Sequence, residues 1–102
     1  MAKLLVLYKI PQDTVAFDAY YVNTHIPLAK KVPGLKKYTV SQGPVVTPSG
    51  LSPYHLVAEL HFEDLAAAGA AFTSPEGQAA GADVANFATG GAEMLIFDSH
   101  EV

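Results

Sequence analysis

The alternation of apolar and polar residues along this chain predicts four strands. An unbroken apolar run from Leu4 to Tyr8 lies between two lysines and has the length of a central strand. Residues 54–62 alternate, so one face is apolar and the other polar. Further strands are predicted within 35–46, where Tyr, Thr and Val are frequent, and at 93–98. The Pro-, Ser- and Gly-rich segment 47–53 is predicted to be a loop.

Helical spacing predicts three helical runs between these strands. The first begins after Asp13 or Thr14, either of which can cap it. The others cover residues 65–72 and 75 to about 87, the last with Ser74 as N-cap and Pro75 as first helical residue. The first helix is predicted to carry Phe17, Tyr21, Thr24 and Leu28 on one face, with Asp18 and His25 at its edge.

The order of these elements predicts an α+β fold. Strand, helix, strand, strand, helix, strand is the split βαβ, or ferredoxin-like, pattern, in which a four-stranded antiparallel sheet carries its helices on one face. The other sheet face is then left for solvent, a ligand or a second subunit. On the strand at 54–62 that uncovered face is predicted to bear His55, Val57, Glu59 and His61. A homodimer that buries this face is the expected assembly of so short a chain.

His25 is the most chemically suggestive residue. Pro27 cannot donate a backbone hydrogen bond, so the first helix is predicted to kink or stop near Ile26 and to leave His25 at the negative end of the helix dipole. Imidazole can exchange protons near neutral pH, which suits a general acid or base. The alternative is a structural histidine that caps the helix and packs on Tyr21.

Composition and charge argue against several classes of protein. The 102 residues, half of them apolar, suit a single domain over residues 1–102. A net charge of -4 with six lysines and arginines argues against a nucleic-acid partner. Without cysteine there is no thiolate nucleophile or sulfur-ligated metal. The apolar run near the start is too short for a signal peptide, and no run has transmembrane length, so a cytoplasmic protein without a membrane partner is expected.

The early cluster of residues resembles the EthD-like proteins of the dimeric α+β barrel superfamily. It comprises residues 5–9, Phe17, Tyr20, Tyr21, His25, Pro27, Leu28 and residues 33–35, followed later by 74–77 and 82–87. The resemblance implies a homodimer whose subunits each enclose a pocket between sheet and helices, with Tyr21, His25, Asp83 and Asn86 facing it. It does not imply a reaction, because relatives include cyclases, dehydratases, isomerases and cofactor-poor oxygenases.

Each further candidate residue has a structural alternative. Tyr8, Phe17 and Tyr20 could line a pocket or belong to the core, and Asn86 could bind a ligand or cap a helix. Glu59 and His61 are close enough to share a ligand, and with His25 they would make a two-histidine, one-carboxylate iron site. A polar barrel interior or dimer interface explains the same strand face. Haem ligation by His25 is a further alternative.

These observations lead to one functional hypothesis and two rivals. The first is an enzyme that acts on a small, mostly apolar organic molecule without a cofactor or metal, with His25 moving a proton and Tyr21 orienting it. The expected reactions are cyclisation, dehydration, isomerisation or decarboxylation. The rivals are a noncatalytic binding protein that serves an ether-degradation type of oxygenase system and a haem- or iron-dependent oxygenase.

Overall fold

The computed structural model, which describes all 102 residues, contains one four-stranded antiparallel sheet. The strands are β1 (Ala2–Lys9), β2 (Lys37–Val40), β5 (Tyr54–Phe62) and β6 (Ala92–Asp98), in the spatial order β2-β5-β1-β6. Strand β1 is therefore central, as its apolar run predicts. A separate hairpin of two-residue strands, β3 (Val46–Thr47) and β4 (Gly50–Leu51), occupies most of the segment predicted to be a loop. The predicted α+β, ferredoxin-like fold is confirmed.

The helices follow the predicted order. They are α1 (Thr14–Tyr20), a π-helical turn (Tyr21–His25), α2 (Ile26–Ala29), α3 (Leu65–Thr73), α4 (Pro75–Asp83) and a 3-10 turn (Val84–Asn86). The side chain of Asp13 accepts a hydrogen bond from the amide of Ala16 at 3.0 Å, and Ser74 Oγ accepts one from the amide of Gly77 at 3.0 Å. Both residues are therefore N-caps, as predicted.

The first helix is predicted to kink or stop near Ile26, and it does not stop there. The chain remains helical through Ala29 by opening into the π turn, in which the amide of Ile26 donates to the carbonyl of Tyr21, five residues earlier. We attribute the wider turn to Pro27, whose ring crowds the preceding α-helical turn. The wider turn also keeps positions four apart in line. Phe17, Tyr21, His25 and Ala29 are consequently buried on one stripe, whereas Thr24 is exposed.

The core lies between the helices and the inner face of the sheet. Alternate residues of β1 are buried, and their neighbours are half-buried. The same alternation holds over most of β5. A single cluster of buried side chains joins the inner sheet face to α1, α3 and α4, and its largest members are Tyr8, Tyr21, Phe17, Phe62 and Phe87.

A β-bulge interrupts the alternation at the start of β5. Lys9 pairs with Tyr54 and Tyr8 pairs with Leu56, so one step on β1 opposes two on β5. Beyond the bulge Tyr54 shares the outer face with Lys9, and His55 turns inward against Phe17, with ring centroids 5.0 Å apart. The predicted placement of His55 on one face with Glu59 and His61 is therefore wrong.

The outer face of the sheet carries no helix, as the fold predicts. On β6, Leu95 and Phe97 are 54% and 38% exposed, and Leu95 pairs in register with the half-buried Leu5 of β1. Polar side chains also lie on this face, among them Lys3, Glu59 and His61. No helix of the structure is both long and apolar enough to cross a membrane.

Candidate functional site

A cavity of about 140 Å³ lies between the inner sheet face and the helices. Fourteen of its 17 lining residues are hydrophobic, and its polar groups come mainly from His25, Tyr8, Tyr21 and Tyr38. An apolar cavity of about 150 Å³ is known to hold benzene. The site thus has the dimensions for a compact apolar molecule and polar atoms to orient it.

His25 is held in this cavity by a carboxylate from the second helical region. Its Nδ1 atom lies 2.9 Å from Oδ2 of Asp83, and the two side chains are only 6% and 7% exposed. His25 reaches this position because the π turn places it on the buried stripe, while Asp83 is the last residue of α4. The prediction that His25 lies by the negative end of a helix dipole is wrong, because the chain stays helical through Ala29; the negative group beside His25 is Asp83.

Asp83 is itself fixed by two further donors. The hydroxyl of Tyr20 donates to its Oδ1 at 2.6 Å, and the side-chain amide of Asn86 donates to the same oxygen at 3.0 Å. Burial alone would raise the pKa of Asp83, but the hydrogen bonds from Tyr20, Asn86 and His25, with the charge of His25, outweigh it and lower that pKa. Asp83 is therefore a carboxylate at neutral pH.

This arrangement sets the role of each nitrogen of His25. A carboxylate only accepts hydrogen bonds, so Nδ1 of His25 carries a proton and donates it to Asp83. In the neutral ring Nε2 then holds the lone pair. His25 lines the cavity, and Nε2 is the nitrogen that remains for a bound molecule.

Aromatic rings surround the histidine. The imidazole of His25 lies 4.7 Å from the ring centroid of Phe87 and 5.3 Å from that of Tyr21. Phe17 stacks on Tyr21 at 5.8 Å with an interplanar angle of 5°, and Tyr8 packs edge-on against both rings. Phe17 does not line the cavity, whereas Tyr8 does. Phe17 is thus a core residue behind the site.

Tyr21 is paired with another tyrosine and not with His25. Its hydroxyl lies 2.5 Å from the hydroxyl of Tyr38 on β2. Burial, aided by the neighbouring hydroxyls, raises the pKa of Tyr21, and burial also raises the pKa of Tyr38, so both keep their protons at neutral pH. Sequence reasoning missed Tyr38, although it is the one aromatic residue of β2 and β2 alternates inward at that position.

His55 belongs to a second, more exposed pair. Its Nε2 atom lies 2.7 Å from Oδ1 of Asp18, and the side chains are 21% and 59% exposed. The pair lines an open groove between α1, the π turn and the 40–56 segment, with a volume of about 670 Å³. Tyr21 lines both this groove and the cavity. His55 therefore lies outside the His25 cavity.

Glu59 and His61 lie on the far side of the sheet from His25. The two side chains are 3.8 Å apart on the outer face, and Lys3 lies 3.9 Å from the same Glu59 oxygen. The sheet separates them from the cavity, so the two-histidine, one-carboxylate iron site is not assembled. No group of three or more His, Asp or Glu side chains could hold a metal ion.

Asn86 serves the site indirectly. It lies in the 3-10 turn that follows α4, is exposed, and does not line the cavity. Its amide orients Asp83, which in turn holds His25. Asp83 and Asn86 are three residues apart, a spacing that brings side chains together on a helix, and their side chains are hydrogen-bonded.

Both the sequence and the structure of this chain resemble those of known proteins. Residues 9–91 match the family described as the EthD domain. The chain is 43% identical to an 11.0 kDa protein from the thcB–thcC intergenic region of Rhodococcus erythropolis, over 100% of this chain and 98% of that protein. It is 37% identical to an ethyl tert-butyl ether d (EthD) family protein of Bacillus halodurans, with a TM-score of 0.89 over 98% of this chain and 99% of the other.

More distant structures share the fold alone. SnoaB of Streptomyces nogalater, described as a cofactor-independent oxygenase, aligns with a TM-score of 0.68 at 14% identity over 99% of this chain and 94% of its own. Several structures in the same range are described as dimeric ferredoxin-like proteins. The match over residues 9–91 and the identities of 43% and 37% over nearly the whole chain show that this protein belongs to the EthD family.

Proposed function

We propose that the protein binds a small, mostly apolar organic molecule in the His25 cavity and performs acid–base chemistry on it with Nε2 of His25. One observation carries the proposal: a buried carboxylate oxygen of Asp83 lies 2.9 Å from Nδ1 and fixes the ring with its other nitrogen available. A carboxylate in this position holds the imidazole in one tautomer and orientation and stabilises the imidazolium that forms.

The chemistry then needs only one proton acceptor and one acid. Nε2 takes a proton from carbon next to a carbonyl, or from a hydroxyl, and the resulting imidazolium returns that proton to another atom of the molecule. Asp83 remains ionised throughout. Isomerisation, cyclisation, dehydration and decarboxylation all use such steps, and one positioned acid–base group contributes about 10²–10⁴ in rate.

The tyrosine pair supplies a hydrogen-bond donor for a developing negative charge. Tyr21 and Tyr38 share one hydrogen bond, which uses one of their two hydroxyl protons. The other proton remains for Tyr8 or for an oxygen of the bound molecule. Because burial keeps both hydroxyls protonated, the pair can stabilise an enolate oxygen while His25 holds the proton.

We also propose that the active form is a homodimer joined through the outer sheet faces. The exposed Leu95 and Phe97, next to the half-buried Leu5 and Leu7, form an apolar patch that a second copy can cover. Structures with this fold are described as dimeric, which supports a dimer but does not specify its interface. Glu59 and His61 would then be interface residues, on the side of the sheet opposite the cavity.

Noncatalytic binding is the second candidate function. The similar protein of Bacillus halodurans carries the name of an ether, a compound without an acidic proton, and the cavity is largely apolar. A protein that holds such a molecule for a partner enzyme would use the cavity without using Nε2 as a base.

Hydrogen–deuterium exchange separates the two candidates. Cyclohexanone is a compact ring with a carbonyl group, and a base in the cavity would exchange its α-hydrogens in D₂O. We expect the wild-type protein to accelerate this exchange and His25→Gln to lower the acceleration at least 100-fold, measured by proton NMR. His55→Gln, which alters the exposed pair, is the matched control and should exchange at the wild-type rate. Binding of cyclohexanone without accelerated exchange would contradict catalysis and support the noncatalytic candidate.

A further inference from the structure

Helix α4 presents two glycines to the cavity, and only one of them is required by packing. Gly77, Ala80, Gly81 and Val84 line the cavity at the spacing i, i+3, i+4, i+7, which is one face of a helix. A side chain at any of these positions therefore points towards the cavity or the elements that border it.

Gly77 has an evident structural reason. A Cβ atom placed on it would lie 2.0 Å from the carbonyl oxygen of Ala71, at the point where α4 crosses the end of α3. No side chain fits there unless the two helices move apart. Gly77 is thus explained by the protein's own packing.

Gly81 has no such reason. A Cβ placed on it meets no atom within 4 Å, and its backbone does not adopt a positive φ. Glycine inside a helix makes the folded state less stable than alanine would at the same position. Contacts within the protein do not require glycine at position 81, so packing does not explain this loss of stability. Gly81 is also exposed, and it lines the cavity.

We propose that Gly81 reserves space for the apolar body of the bound molecule and sets the largest molecule that the cavity accepts. The inference rests on the proposed use of the cavity as the ligand site. Its ligand class is a compact ring or branched hydrocarbon group of about the size of benzene, since the cavity holds about 140 Å³. A methyl group at Gly81 would occupy part of that volume and exclude larger ring systems first.

Benzene and indole test the size limit because indole is larger by one fused five-membered ring. Isothermal titration calorimetry on the full-length protein should show that the wild type binds both. We expect Gly81→Ala to weaken indole binding at least tenfold with a smaller effect on benzene, and Gly81→Val to abolish binding of both. Circular dichroism checks that the variants are folded.

Gly69 on α3 supplies the matched control. It is also helical, a Cβ placed on it also meets nothing within 4 Å, and it does not line the cavity. Gly69→Ala and Gly81→Ala should both raise the melting temperature, because alanine limits the unfolded chain, but only Gly81→Ala should change binding. Equal indole affinity in Gly81→Ala and wild type, or equal losses in both alanine variants, would overturn the proposal, as would a wild type that binds neither probe.

These outcomes are separable from those of the proposed function. Hydrogen exchange reports on His25→Gln and indole binding reports on Gly81→Ala, so each variant tests its own claim. If binding follows the predicted size limit and exchange is absent, the assignment of Gly81 stands and the catalytic role of His25 fails. If exchange is present but Gly81→Ala binds indole normally, the catalytic role stands and the assignment of Gly81 fails.

Discussion

Nδ1 of His25 lies 2.9 Å from Oδ2 of Asp83, although 58 residues separate the two along the chain. Both side chains are buried, and the carboxylate is further tied to Tyr20 and Asn86. The contact joins the π turn after α1 to the last residue of α4. It therefore links the two helical regions over the sheet and, at the same time, decides which nitrogen of His25 meets the cavity.

Acid should weaken the protein partly through Asp83. Because hydrogen bonds lower its pKa in the folded state, its carboxylate contributes stability fully above the ordinary value of 3.8 and loses it as the pH falls through the lower folded value. Asp83→Asn should reduce the free energy of unfolding by about 1–3 kcal/mol at neutral pH. That difference should shrink as urea unfolding is repeated from about pH 7 to pH 3. A difference that is the same at every pH would contradict the account.

The hydroxyls of Tyr21 and Tyr38 should be energetically coupled. Tyr38→Phe leaves the buried Tyr21 hydroxyl without its partner and should cost about 1–3 kcal/mol of stability. The double variant Tyr21→Phe/Tyr38→Phe removes both partners and should lose less than the sum of the single variants. Urea unfolding of the wild type, the two single variants and the double variant measures the coupling free energy between the two hydroxyls. If the stability losses of the single variants add up to that of the double variant, the hydroxyls do not interact.

The proposed dimer predicts different results for two exposed leucines. Leu95→Glu introduces a charge into the apolar patch of the outer sheet face and should convert the dimer to a monomer in sedimentation at micromolar concentration. Leu51 is 87% exposed but lies in the β3–β4 hairpin, away from that face. Leu51→Glu should therefore remain dimeric. Dissociation by Leu51→Glu, with none by Leu95→Glu, would place the interface elsewhere.

Much of the fold could be predicted from local patterns. The apolar run of β1, the alternation in β5 and the N-caps Asp13 and Ser74 each act over a few residues, and all are present in the structure. The sequence predictions fail where the backbone departs from regular helix or strand geometry. Pro27 indicated that the helix would kink or stop, and the chain widened into a π turn and continued.

Two irregularities of the backbone determine which side chains reach the site. The π turn moved His25 from the edge of its helix to the buried stripe, and the bulge at the start of β5 turned His55 inward. Helical and strand periods assume regular geometry, so neither shift could be predicted from them. Asp83 was expected near the site from the family resemblance, but its contact with His25 depends on packing between distant elements. Tyr38 was missed because its contact with Tyr21 also depends on packing between distant elements.

The tautomer of His25 tests the central claim most directly. Long-range ¹H–¹⁵N NMR of the imidazole reports which nitrogen carries the proton in the neutral ring. We predict that Nδ1 is protonated towards Asp83, that Nε2 is bare, and that saturating phenol, a ring of benzene's size with one hydroxyl donor, shifts the Nε2 resonance. Asp83→Asn should reduce the population of this tautomer. A neutral ring protonated on Nε2, or an Nε2 resonance that bound phenol does not change, would contradict the proposed acid–base role of His25.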